Sequence, residues 1–273
     1  MISRSEQTLT YAIAIAFAFF ALAPLVGILF AAFHPPGALL TGIAVPHSLS
    51  FSTFSTAWHR GSFARLMLSS LIVAGSVVAA TVVLAVPAGF AFGTMRFPFS
   101  RAIFFLMLSG LVIPFEALIV PLYYHFRDLG LTDTYWALIL PQTGLSLSFG
   151  VFWMRAFFRA TPRSLLEAAR IDGASSWTTM TRVLLPMGRP AILTMVLLVF
   201  MWTWNEFLLA LVMISDDAHR TAPLGLSVFK SRYGIDVPSV SAAATLVALP
   251  VLVVYVFLQR HFIRGVLSGA LKG

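Results

Sequence analysis

The sequence predicts an all-α membrane protein with six transmembrane helices, and three observations carry that prediction. Of its 273 residues, 59% are hydrophobic and only 10% are charged, whereas soluble domains carry roughly 25% charged residues. Mean hydropathy is +0.91. The apolar residues fall into six runs, at about 11–33, 66–92, 102–125, 135–158, 190–214 and 242–263, each long enough for the ~20 residues that cross a bilayer as a helix. Strands are disfavoured because a lipid-exposed segment must satisfy its own backbone hydrogen bonds, and the runs lack the alternation of a barrel. No repeat or low-complexity run divides the chain, so one transmembrane domain is expected over 1–273.

Taken in order, a short polar lead (1–10) precedes the first run, which is too long for a signal-peptide core and lacks a small-residue cleavage site. His34 to about Arg65, with Pro35, Pro36, Gly37 and Pro46, reads as a loop with one short surface helix. Gly93–Arg101 is a tight loop around Pro98, and Gly130-Leu131-Thr132-Asp133 a short turn. Another loop, about 215–241, carries Asp216-Asp217 and then Pro223-Leu224-Gly225-Leu226. Pro24, Pro87, Pro114, Pro121, Pro141 and Pro250 lie inside apolar runs, where proline removes a hydrogen bond and kinks a helix. Gly75, Ala79, Ala80, Gly144, Ser146, Ser148 and Gly150 offer small surfaces for close helix approach.

The net charge is +8, and its distribution argues for topology rather than nucleic-acid binding. With the N-terminus in the cytoplasm, 12 of the 18 Lys and Arg fall inside and 6 outside. The positive-inside rule therefore places both termini in the cytoplasm. The absence of cysteine excludes disulfides and thiolate metal sites. The six His show no metal-ligand spacing, and no phosphate-binding Gly-x-x-x-x-Gly-Lys-[Ser/Thr] motif occurs. No catalytic constellation emerges, so no enzyme activity and no metal or cofactor are expected in this chain.

Between the fourth and fifth runs a polar insert, 159–189, interrupts the apolar pattern. Thr161-Pro162 suits an N-cap with proline at the first helical position. A short helix then runs through Leu165, Leu166, Glu167, Ala168 and Ala169, with Glu167 about two turns in, and Asp172-Gly173 breaks it. Ser175 or Ser176 caps a second short helix, with Trp177, Met180 and Leu184 on one face and Pro186 at its end. The result is a knob suited to a groove in a soluble partner.

This insert resembles the cytoplasmic coupling loop of ABC-importer permeases: Glu167-Ala168-Ala169, three residues, Gly173, nine residues, then Val183, Leu185 and Pro186. Further along, the chain is similar to the second permease subunit of maltose-type carbohydrate importers (MalG-like). The similarity covers nearly all of 66–273: Pro121-Leu122-Tyr123, Gly130 to Tyr135, Trp204-Asn205-Glu206-Phe207, Leu249-Pro250-Val251-Leu252, and Leu258 to Gly265 followed by Gly269 to Gly273. The resemblance implies a type I ABC-importer permease fold in a bacterial inner membrane. It also implies a complex with a second, different permease, two ATPase subunits that hold ATP and Mg2+, and an extracytoplasmic solute-binding protein. It assigns ATPase coupling to Glu167, Ala168, Ala169, Asp172, Gly173, Trp177 and Pro186. By the same carry-over, Pro223, Leu224, Gly225 and Leu226 belong to a loop that meets the binding protein, and Leu271, Lys272 and Gly273 to a tail that meets the ATPases.

Glu116 and Glu206 lie within apolar runs, where a charge costs at least ~2.5 kcal/mol and so must face a cavity or a partner. Trp204, Asn205 and Glu206 together offer an aromatic face, donors and acceptors suited to a sugar, and Glu116 could add a further acceptor. Either glutamate could instead bond a neighbouring helix. The expected function is import of a carbohydrate by alternating access. Two alternatives stay open: the same complex type importing glycerol-3-phosphate or a phosphodiester, and an autonomous carrier or channel.

Overall fold

The computed structural model describes residues 4–42, 44–231 and 234–270, without the side chains of 5, 231 and 261–270. The chain packs as two compact units, 1–65 with 224–249 and 66–223 with 250–273.

In the first unit, helix α1 (Arg4–Ala32) is apolar on every side and exposed almost throughout; Phe17, Phe19 and Phe20 are all more than 70% exposed. A helix hydrophobic all round belongs in lipid or in a core, and its 29 residues reach about 43 Å. The chain just past its end is tied down. Phe33 packs its ring against Phe51 (5.4 Å) and Phe54 (5.2 Å), and its carbonyl accepts the Ser50 amide (2.9 Å). Thr53 of α2 (Ser52–Arg60), the expected short surface helix, donates to the His34 carbonyl. Downstream, a 3-10 segment (Ala222–Phe229) leads into a two-residue hairpin, β1 (Lys230–Ser231) with β2 (Gly234–Ile235), a departure from an all-helical chain. Asp236 follows. It accepts the Ser239 amide (3.2 Å) and hydroxyl (2.6 Å) at the start of the last long helix, Val237–Ala270, and also the Gly37 amide (3.0 Å) of the first loop. Burial alone would raise the Asp236 carboxyl. The hydrogen bonds from Ser239 and Gly37, with the nearby Arg60 charge, more than offset that and hold it below the usual carboxylate value.

The second unit contains α3 (Phe63–Thr94), α4 (Ser100–Val112), α5 (Phe115–Asp128) and α6 (Trp136–Ala160). Then come α7 (Arg163–Ile171), α8 (Ser176–Thr178), a π-helical stretch (Thr179–Leu184), α9 (Leu185–Trp204) and α10 (Leu208–Met213). Among the described residues of both units, five helices are long and apolar enough to cross a membrane, six if α4 and α5 count as one interrupted span. That interruption corrects the single helix expected over 102–125: α4 and α5 meet at 95°, at Ile113-Pro114. The helix expected over 190–214 is interrupted as well, at Asn205–Phe207. Pro24, Pro87, Pro121, Pro141 and Pro250 lie within helices that continue past them, so only Pro114 marks a break.

The α3–α6 crossing forms the core of this unit. A Cβ on Gly89 would stand 2.5 Å from Met154 Cβ, one on Gly93 2.8 Å from Phe158 Cβ, and one on Gly150 2.7 Å from Ala85 Cβ. The backbones therefore approach through Gly89-x-x-x-Gly93, a small-residue face that the sequence reading passed over. Gly75 and Gly144, expected at such seams, face open space.

Candidate functional site

The polar 159–189 segment folds as two short helices about a glycine, as its residues dictate. Gly173 has φ +72°, its amide donates to the Arg170 carbonyl (3.0 Å), and the Ala174 amide donates to Ala169 (2.9 Å). That pair of bonds is the Schellman termination, which needs a left-handed residue at the Gly173 position. Gly130 ends α5 in the same way, with φ +68° and the Leu131 amide on the Phe126 carbonyl (2.8 Å). Ser175 caps α8, its hydroxyl oxygen accepting the Thr178 amide at 3.2 Å.

Expectations about where these helices start and end, and about the depth of Glu167, are corrected. Thr161 does not cap α7; its hydroxyl turns back to the Phe157 carbonyl of α6 (3.3 Å), and Pro162 occupies the cap position with extended ψ. Proline restricts the preceding residue to extended backbone, which itself ends α6 there. Glu167 sits just over one turn into α7 rather than two. Pro186 does not end the second helix. The six residues Thr179–Leu184 widen into a π turn, in which the Leu185 amide reaches back five residues to Met180, and the helix runs on through Pro186 to Trp204. A wider turn relieves the ring clash that a proline would otherwise make with the preceding turn.

Burial divides the knob into two faces. Ala169, Thr179, Met180 and Leu184 are buried. Leu166, Ala174 and Thr179 also border a small cavity of about 40 Å³ against Phe90, Thr94 and Met95 at the end of α3. Glu167, Ala168, Asp172, Gly173 and Pro186 are exposed, as are Ile171 at 87% and Trp177 at 65%. Trp177 therefore stands on the outer face, not beside Met180 and Leu184. Two large apolar side chains flanking a glycine turn, with the carboxylates of Glu167 on the outer side of α7 and Asp172 at its end, form a surface that one groove can grip.

The break in the fifth span is held by side chains. The Glu206 carboxylate accepts the amides of Leu209 (2.8 Å) and Ala210 (3.1 Å), the first turn of α10. Asn205 is exposed, and its side-chain amide donates to the Met201 carbonyl (2.8 Å). Trp204 is buried with Phe200 and Ala74, with Met67, Val78, Val251 and Val254 around them. Glu116 is exposed in the first turn of α5, which packs on α10, so the two breaks face each other. Beyond α10 the left-handed Asp133 (φ +59°) takes the Ser215 and Asp216 amides on its carboxylate and gives its own amide to Met213 (3.0 Å). This explains why the Gly130–Asp133 turn has those residue types.

Pro223, Leu224 and Gly225 are buried and Leu226 half-buried; in that segment Ser227 and Val228 face outward. Leu271, Lys272 and Gly273 lie outside the described residues.

Residues 85–268 match the family described as binding-protein-dependent transport system inner membrane component. The chain is 30% identical over 272 residues to the diacetylchitobiose uptake system permease protein of Streptomyces coelicolor, covering 98% of this chain and 90% of that one. It is 30% identical over 256 residues to the trehalose transport system permease protein of Mycobacterium tuberculosis, covering 93% of each. In fold it is similar to a chain of a bacterial ABC transporter that imports the acidic polysaccharide alginate, with a TM-score of 0.79 over 96% of this chain and 99% of that one at 22% identity.

Proposed function

We propose a function that proceeds from one fact: the chain belongs to the family of binding-protein-dependent transport system inner membrane components. It is a multi-pass permease subunit of an ABC importer, and its cargo is a carbohydrate, in keeping with its similarity to the diacetylchitobiose and trehalose permeases. Both termini and the 163–186 loop lie in the cytoplasm, supported by the 12-to-6 division of Lys and Arg. ATP and Mg2+ are held by two separate ATPase subunits, a second and different permease completes the membrane part, and an extracytoplasmic binding protein delivers the sugar.

The exposed knob, continuous with α9, carries this reading. Glu167, Ile171, Asp172 and Trp177 face outward to a groove on the ATPase, with Gly173 forming the turn between them. The helix from Ser176 to Trp204 is unbroken over 29 residues. A displacement imposed on the knob therefore passes along a rigid rod to the Asn205–Phe207 break. There the half-helices α5 and α10 move against each other and open the path to alternate sides. Asn205 and Glu116, both exposed at the breaks, offer hydrogen bonds to sugar hydroxyls. Glu206 and Trp204 hold the break in shape, and the Leu271–Gly273 tail reaches the ATPases.

The test is ligand-stimulated ATPase activity of the reconstituted complex across a panel of sugars. Gly173→Pro forces φ to about −65° where +72° is needed, and is expected to abolish stimulation while the subunit still inserts and assembles. Stimulation by no sugar but by glycerol-3-phosphate would overturn the carbohydrate assignment. Full coupling in Gly173→Pro would overturn the role of the knob.

A further inference from the structure

Three arginines line one open cavity of about 560 Å³ between the start of α4 and the last turns of α6. Arg155 is half-buried in its wall, its Nε donating to the Phe92 carbonyl (3.3 Å) and its Cζ lying 3.8 Å from the Phe104 ring centroid. Arg101, over the Phe105 ring at 5.8 Å, and Arg159 are exposed at the rim. No carboxylate borders the cavity. The chain contains no Asp or Glu between Glu6 and Glu116 or between Asp133 and Glu167. The ion pairs Arg127–Asp128, His219–Asp216 and Arg220–Asp217 all lie on other elements.

Three like charges around a common space repel one another, and one is partly withdrawn from water; an anion in that space relieves both costs. Guanidinium forks match phosphate oxygens in pairs, which makes arginine the residue for a phosphate ligand rather than a generic counter-ion. The surroundings specify the rest of the ligand. Phe105 (56%) and Phe152 (45%), both lining the cavity, leave apolar surface exposed beside the arginines, and Phe152 belongs to α6, a helix long enough to cross a bilayer. A basic pocket between transmembrane helices with an apolar flank suits a headgroup whose acyl chains continue along the protein. We propose that this cavity binds the phosphodiester headgroup of an anionic membrane phospholipid, with Arg101, Arg155 and Arg159 on the phosphate and the acyl chains lying over Phe105 and Phe152.

The purified, delipidated full chain is offered equal amounts of phosphatidylglycerol and phosphatidylcholine with identical acyl chains, and bound lipid is counted by native mass spectrometry. Retention of phosphatidylglycerol should exceed that of phosphatidylcholine at least ~10-fold, and the preference should shrink as salt rises. Joint substitution of the exposed pair, Arg101→Gln with Arg159→Gln, should bring the ratio close to one, while Arg127→Gln on another surface leaves it unchanged. Millimolar inorganic phosphate should not displace the lipid. A ratio near one in the unmodified chain, an unchanged ratio in the double variant, or displacement by phosphate alone would each overturn the proposal; the last would assign the cavity to a free anion. The salt dependence of the unmodified chain tests the electrostatic origin of the preference without any variant.

Discussion

The two interrupted spans reach a similar result by opposite means. Between α4 and α5 the chain turns by 95° at Pro114, which has no amide to continue the ladder, and no side chain caps the new helix. Between α9 and α10 there is no proline. The break exists because the Glu206 carboxylate takes two amides that would otherwise be orphaned. In hydrocarbon an unsatisfied backbone group costs several kcal/mol, so such a break survives only where a side chain or a neighbouring element supplies the partner. One break is therefore built from covalent backbone chemistry, the other from an acceptor carried by a side chain.

Removing that acceptor should have the largest effect. Glu206→Ala leaves the Leu209 and Ala210 amides unpaired and should lower stability by about 2–4 kcal/mol, read as a fall in the thermal midpoint of the purified chain. Glu206→Gln keeps one acceptor oxygen and should lose about half as much. Equal stability of Glu206→Ala and the unmodified chain would remove the distinction between the two breaks. Pro114→Ala restores an amide and tests the other mechanism. The α4–α5 angle should open toward a straight helix, measured as a longer distance between spin labels at Leu106 and Val120. An unchanged distance would mean that packing, not proline, sets the bend.

Asp236 performs the same capping chemistry outside the membrane-spanning segments, where water competes for the freed groups. Asp236→Asn should cost about 1 kcal/mol. Its carboxyl is held below the usual value by Ser239 and Gly37 despite burial, so its contribution is present at neutral pH and fades as pH falls through the folded value. The difference between Asp236→Asn and the unmodified chain should shrink on acidification, as followed by thermal midpoints at successive pH values. The smallest effect belongs to Glu116, which is exposed and caps nothing: Glu116→Gln should shift stability by less than ~0.5 kcal/mol. A large loss of sugar-stimulated activity without loss of stability would place it in the path.

Several features were legible in residue types alone. Gly173 and Gly130 are glycines because a Schellman termination needs positive φ, and Ser175 is a serine because a helix start needs an acceptor. Other readings failed where the outcome depended on neighbours. Thr161 has the chemistry of a cap, yet the preceding helix offers its hydroxyl a carbonyl first. Pro186 has the chemistry of a terminator, yet a π turn absorbs it. Gly75 and Gly89 look alike in sequence, but only Gly89 meets another backbone. Pro223 to Gly225 are buried although they sit in a segment read as a contact loop, because an apolar run in a loop does not reveal which side it covers.

The sequence by itself determined that the chain spans a membrane, which segments do so, and that a glycine-centred knob separates the fourth span from the fifth. These follow from transfer free energy and local backbone preference, both properties of short stretches. Tertiary structure alone decided which small residues bring helices together, where Glu206 finds its two amides, and that Arg101, Arg155 and Arg159 share one cavity. Those depend on groups distant in sequence arriving at one place, and packing geometry, not composition, fixes where they meet.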